Sequence, residues 1–215
     1  HSHMDTAWLW HIGETIKKCA RTYSNQLNLM EQYPEYKFVQ SSAYHSEVLR
    51  VHYPELFERI RQKVLEGRYE PNGGVWVECD CNITSGESMI RQFLWGQRFT
   101  RKYFNYTSDS FWLPDTFGYS AAIPQIMKGC GVKYFLTTKM AWNDTNQFPY
   151  DTFYWKGIDG TKVFAHLNKT HVWPAPKDFY QYVYSTKSPD AIRQKYVANK
   201  KLISYGFGDG GGGPQ

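Results

Sequence analysis

The sequence predicts an α/β protein, a barrel of mostly parallel strands with helices packed outside. Three observations carry that prediction. Short apolar runs alternate with longer stretches of helical periodicity, in five or more strand–helix units. Strands separated by helices pair in parallel through right-handed crossovers. Carboxylates and glycine turns sit just after several strands, where barrels and open sheets collect active-site side chains. An open α/β sheet is the alternative architecture, and the number of units in series favours the barrel.

The elements follow in order. Residues 14–33 read as a helix, with Ile16, Leu27 and Met30 at helical spacing. Residues 37–40 are a strand, followed by Ser41 and Ser42 as caps. A helix over 44–66 is interrupted at Pro54. Residues 69–77 are a strand. The helix over 85–104 opens on Thr84-Ser85-Gly86-Glu87, which fits a capping box. Residues 111–113 form a bulky buried strand, and Pro114 and Gly118 punctuate its end. Ser120 caps a helix over 121–129. A strand over 134–137 precedes a loop over 140–150, then extended pieces at 152–155 and 163–167. Residues 171–188 read as irregular, 189–199 as a helix and 202–207 as a last strand.

Composition excludes several classes. With 215 residues, the chain is long enough for one sizeable core. The net charge of +5 is spread along both signs, unlike the clustered basic face of a nucleic-acid binder. No apolar run approaches the roughly 20 residues of a membrane helix. Aromatics make up 18%, a high share that serves cores and also stacking on sugar rings. The four cysteines, Cys19, Cys79, Cys81 and Cys130, read as reduced, with strand alternation sending Cys79 and Cys81 to opposite faces. Reduced thiols favour an intracellular, cytoplasmic enzyme. The abrupt start and the glycine-rich end point to a segment of a longer chain.

Four constellations carry chemistry. In His1-Ser2-His3-Met4-Asp5, alternation puts His1, His3 and Asp5 on one face, a set suited to zinc or a similar ion. The same letters occur as an N-terminal tag remnant, but Trp8 and Trp10 mark the continuation as native sequence. Asp115, in Trp112-Leu113-Pro114-Asp115, sits at a strand end before a helix. Taken alone it would be an Asx turn or a cap. Asp209 opens the run Gly210-Gly211-Gly212-Gly213 at another strand end. That run lacks the Lys-Ser/Thr of a phosphate-binding loop, and its composition suits a plain flexible loop. Glu78 and Asp80 share a face after Gly73-Gly74-Val75-Trp76-Val77, where solvated or capping roles are equally open to them.

These motifs, with Ser85-Gly86-Glu87-Ser88 and Lys139-Met140-Ala141-Trp142-Asn143, occur in an order that resembles the N-terminal catalytic domain of the family 38 α-mannosidases. The resemblance is to the cytosolic/vacuolar and bacterial branch and runs along nearly all of the chain. It implies a (β/α)7 barrel filling residues 1–215, with the family's helical-bundle and β-sandwich domains outside this stretch. It also implies a zinc-dependent retaining glycosidase acting on terminal α-linked mannose of oligosaccharides, with homo-oligomers a possibility for the full-length chain.

Residue by residue, the resemblance makes His3, Asp5 and Asp115 zinc ligands and Asp115 the nucleophile as well. It demotes His1, whose counterpart is usually not a ligand. Trp8 and Phe117 match aromatic residues flanking the sugar, and Lys139 a basic residue near the site. Asp209 is the best match to the acid/base; other branches carry two adjacent aspartates here, where this chain has Asp209-Gly210. The family's fourth ligand is a histidine well after the glycine run, and His166 and His171 are not obvious replacements. Two readings stand beside the mannosidase. One is a deacetylase or amidohydrolase in which zinc activates water, and the other a sugar-binding segment that is catalytically incomplete.

Overall fold

A computed structural model describes residues 1–168, 202 and 204–214. Helix α1 spans Ile12–Gln32. Strand β1 (Phe38–Val39) leads into α2 (Ala43–His52) and α3 (Pro54–Leu65). These are the two halves of the expected 44–66 helix. Tyr53 is the C-cap of one and the N-cap of the other, and Pro54 starts α3 where its missing N–H costs nothing. Strand β2 is only Tyr69–Glu70, because Gly73-Gly74 ends the regular pairing predicted through residue 77. Val75 keeps a single parallel bridge to Ser42.

Helix α4 (Gly86–Phe104) is capped one residue later than the capping box predicts. The Ser85 hydroxyl accepts from the Ser88 N–H, while Glu87 pairs with Arg91. Strand β3 (Ser110–Trp112), α5 (Ile123–Gly129) and β4 (Tyr134–Thr137) follow as expected, with α5 starting two residues late. A 3-10 turn over Lys139–Trp142 opens the predicted loop. Strands β5 (Thr152–Lys156) and β6 (Lys162–Leu167) form an antiparallel hairpin. The irregular stretch and helix predicted over 171–199 lie outside the described residues. Of the last predicted strand, the described part shows bridging rather than a strand, Phe207 pairing with Gly213.

The α/β class and the parallel pairings β1–β2, β3–β4 and β4–β6 match the sequence reading. A closed barrel is not seen among the described residues. Among the described residues the strands make a two-stranded sheet, β1-β2, and a four-stranded sheet, β3-β4-β6-β5. The two meet at one long hydrogen bond, Trp112 N–H to the Gly73 carbonyl at 3.4 Å. Two apolar clusters underlie them. One gathers Tyr23, Leu27, Phe38, Leu49, Ile60 and Phe99 beneath α1 to α4. The other gathers Phe93, Phe111, Leu113, Ile123, Met127 and Ala165 between the larger sheet and its helices. Cys79 and Cys81 both belong to the second cluster. The backbone there turns instead of alternating, so the expected opposite faces do not arise. All four cysteines are free thiols. No helix among the described residues is long and apolar enough to cross a membrane.

The glycine run is a packed closure, not a loose loop. Gly212 N–H donates to Thr22 Oγ1 on α1, and Gln26 Nε2 donates to the Gly212 carbonyl at 2.9 Å. Gly211 has φ +75, and a Cβ there would lie 2.5 Å from Thr22 Oγ1, so a side chain is excluded twice over. Ser2 Oγ donates to the Phe207 carbonyl, Met4 bridges Gly210, and Asp5 N–H donates to the Asp209 carbonyl at 2.9 Å. The two ends of the described chain therefore lie side by side.

Candidate active site

Each acidic residue of the site is delivered by backbone pinned on both sides. Asp115 follows β3, where Leu113 N–H donates to the Leu136 carbonyl and Thr138 donates twice to the Pro114 carbonyl. Beyond it, Thr116 Oγ1 donates to the Cys79 carbonyl, and the Tyr119 hydroxyl donates to the Thr116 carbonyl. Asp115 is thus held in a rigid turn at a strand's C-terminal end. Asp209 occupies the left-handed region at φ 58, which Asp tolerates better than most residues. That conformation turns the chain between Gly208 and Gly210 as it passes Asp5.

Four donors converge. Single ligand atoms of His3, Asp5, Asp115 and Asp209 all lie within 4.8 Å of one another. His3 Nε2 is 3.1 Å from Asp115 Oδ2 and 3.5 Å from Asp5 Oδ1. His3 is 2% exposed. Burial alone would lower its pKa, but the Glu78 charge and hydrogen bonds with Asp115, Asp5 and Glu78 hold it well above the ordinary histidine value. Lys139 Nζ reaches Asp115 Oδ1 at 2.7 Å. One imidazole nitrogen and three carboxylate oxygens at this spacing fit zinc or a similar divalent ion.

His3, Asp5 and Asp115 line an open cleft of about 370 Å³, with Thr6, Ser42, Glu78, Asp80, Thr116 and Phe117 among its other walls. Phe117 is 68% exposed and meets Trp142 edge-on at 5.7 Å. Between them sits Lys139, its Nζ 3.2 Å from the Trp142 ring centre and 4.7 Å from that of Phe117. Trp142 escaped the sequence reading. Its position three residues after a site lysine, in a tight turn, was the available signal.

Other predicted residues fall elsewhere. Trp8 is exposed and packs edge-on against Trp10, whose Nε1 donates to Thr15 Oγ1; it is not among the cleft residues. His1 is buried with its ring 5.1 Å from that of Trp112, outside the four-donor cluster, in line with its demotion. His166 pairs with Thr152 on β5 and takes no part in the cluster. His171 lies outside the described residues. Asp80 has the bland role open to it, its Oδ1 accepting from the N–H groups of Asn82 and Ile83. Glu78 does not: its Oε2 lies 3.4 Å from His3 Nδ1.

Comparison with known proteins gives the family. A sequence model described as "Glycosyl hydrolases family 38 N-terminal domain" matches residues 1–215. The chain is 47% identical to human "Alpha-mannosidase 2C1" over 218 residues, covering all of this chain and 20% of that protein. It is 46% identical to "Alpha-mannosidase G" of Dictyostelium discoideum over 214 residues, covering all of this chain and 19% of that protein. The chain thus spans about a fifth of the length of these curated relatives. The crystal structure of an alpha-mannosidase from Enterococcus faecalis V583 superposes with a TM-score of 0.77 at 22% identity, covering all of this chain and 25% of that one. Motif order, site geometry and full-length match converge: the chain belongs to glycosyl hydrolase family 38, as its N-terminal domain.

Proposed function

We propose that the full-length protein hydrolyses terminal α-linked mannose of oligosaccharides with retention of configuration, using a zinc ion held by His3, Asp5 and Asp115. The single observation carrying this reading is the convergence of those residues and Asp209 within 4.8 Å, beside an exposed aromatic ring in an open cleft. Membership of the glycosidase family supports it over an enzyme in which metal-activated water attacks an amide.

A retaining glycosidase needs two carboxyl groups about 5–5.5 Å apart; here one oxygen of Asp115 and one of Asp209 lie within 4.8 Å of each other. In the proposed step a carboxylate oxygen of Asp115 bonds to the anomeric carbon as the bond to the leaving oxygen breaks. Asp209 protonates that oxygen. Water, deprotonated by Asp209, then attacks the same carbon and frees Asp115. Lys139 holds one Asp115 oxygen, which orients the carboxylate and balances its charge. Phe117 offers a flat apolar face to the C–H side of the sugar. The bound ion would anchor sugar hydroxyls and favour a distorted ring.

Asp209 also has a second reading, because its oxygen lies within 4.8 Å of the other three donors. It would then be the ion's fourth ligand in place of the family's histidine. A closed seven-unit barrel belongs to the proposal as well. Its support is the parallel order β1-β2 and β3-β4-β6, with residues 209–210 pairing back on Met4 and Asp5. A cytoplasmic location is proposed on the four free thiols.

The test is covalent trapping. A 2-deoxy-2-fluoro or 5-fluoro mannosyl fluoride should leave one sugar on a peptide containing Asp115, read by mass spectrometry. Inactivation without a labelled peptide, or a label on another carboxylate, would overturn the nucleophile assignment.

A further inference from the structure

Glu78 is a cleft carboxylate for which the proposed reaction has no task and which, unlike Asp80, caps no turn. Its Oε2 lies 3.4 Å from His3 Nδ1, on the far side of the ring from Nε2, which faces Asp115 and Asp5. Its Oε1 accepts from Ser41 Oγ at 2.5 Å, and Ser41 is itself buried. The backbone leading to Glu78 is fastened to α4: Trp76 N–H donates to the Gln92 carbonyl at 2.9 Å and Val77 N–H to Gln92 Oε1 at 3.0 Å. A long, charged side chain, 12% exposed, is therefore fixed at its stem and at Oε1, with Oε2 left facing His3 Nδ1. Glutamate is seldom buried this far without a specific partner.

We propose that Glu78 is a positioning residue for the metal centre, acting through His3. Neutral imidazole carries its proton on either nitrogen, and the partner of one nitrogen decides the state of the other. With Nδ1–H donating to Glu78, the Nε2 lone pair faces the space shared with Asp5, Asp115 and Asp209. The same contact stops the ring rotating about its Cβ–Cγ bond, and Ser41 keeps the carboxylate from swinging into the cleft. The chain Ser41, Glu78, His3 thus turns a flexible donor into a fixed one. Removing such an outer partner commonly weakens metal binding roughly 10–100-fold.

This inference rests on the metal centre proposed above, and its test separates the two. Zinc affinity of the full-length protein and of Glu78→Gln and Glu78→Ala is measured by competition with a chromophoric chelator. The visible spectrum of each cobalt-loaded protein and its urea midpoint are recorded alongside. Glu78→Ala should bind zinc roughly 10–100-fold more weakly with a shifted cobalt band. Glu78→Gln should lose less, since its amide oxygen still accepts from Nδ1–H, and it carries the test should Glu78→Ala not fold. Zinc affinities within twofold of the parent, with only the urea midpoint lowered, would make Glu78 merely structural and overturn the inference alone. A parent protein that binds no zinc would overturn the metal centre and this inference together.

Discussion

At the scale of single residues, the site separates charge by position. Asp115 sits between a lysine at 2.7 Å and a histidine at 3.1 Å. Asp115→Ala should cut turnover roughly 10⁴-fold or more while leaving the circular dichroism spectrum unchanged. Asp209 has two candidate roles that chemistry can separate. If it is the acid/base, Asp209→Asn should slow an unactivated mannoside about 10²–10⁴-fold, and azide should rescue turnover of an aryl mannoside. If it is a fourth ligand, azide does nothing and zinc leaves with the carboxylate. His45, near enough to feel the charges of Glu78 and His3, offers a pH test on a group that is not itself a proposed ligand. It is fully buried between Gln40 and Thr6, and burial pushes its pKa down to about 4. The unfolded chain binds this proton near pH 6.5 and the folded chain only near 4. Its contribution is therefore present above 6.5 and is lost as pH falls from 6.5 towards 4, by about 3 kcal/mol in all. The urea midpoint of His45→Gln should fall less steeply over that window than the parent's; equal slopes would refute the assignment.

At the scale of elements, α4 holds the segment that carries Glu78 against β3. Gly96 makes the approach possible: a Cβ there would lie 2.4 Å from the Val75 carbonyl carbon. Gly96→Ala would gain about 1 kcal/mol of helix propensity. The clash is with backbone, which cannot rotate away, and overpacking of this kind costs about 1–3 kcal/mol. Net destabilisation is expected, read as a lower urea midpoint. Element-level features were largely legible in the sequence. Long amphipathic helices such as α1 and α4 declare themselves through periodicity, and Pro54 announced the α2–α3 break. The strands were less legible because they are two to six residues long and much of their pairing reduces to single bridges. The Gly73-Gly74 pair and the Asp159-Gly160 turn between β5 and β6 are local signals, but they mark a turn without saying which strands pair.

At the scale of the whole molecule, the site closes only when the chain's two ends meet. His3 and Asp5 come from one end and Asp209 from the other, locked by the Asp5–Asp209 and Met4–Gly210 backbone pairs and by α1 beneath the glycine run. Gln26 is buried there, donating to the Gly212 carbonyl and accepting from the Tyr36 hydroxyl. Gln26→Leu leaves those groups unpaired, at about 1–3 kcal/mol. It should therefore lower both the urea midpoint and the zinc affinity, whereas Gly96→Ala should lower the midpoint alone. A Gln26→Leu protein that keeps the parent's zinc affinity would uncouple the glycine run from the site.

The sequence by itself determined the residue types of the chemistry. His3, Asp5 and Asp115 could be named from residue type and position in local pattern, and Lys139 and Phe117 through the resemblance that the motif order carries. Only the tertiary structure decided which of them meet. It brought Asp209 beside Asp115 and packed the glycines where composition suited a loose loop. It also gave Glu78 to His3. Such pairings join positions tens to hundreds of residues apart, and packing and hydrogen bonding across the fold choose among the partners that local pattern leaves open.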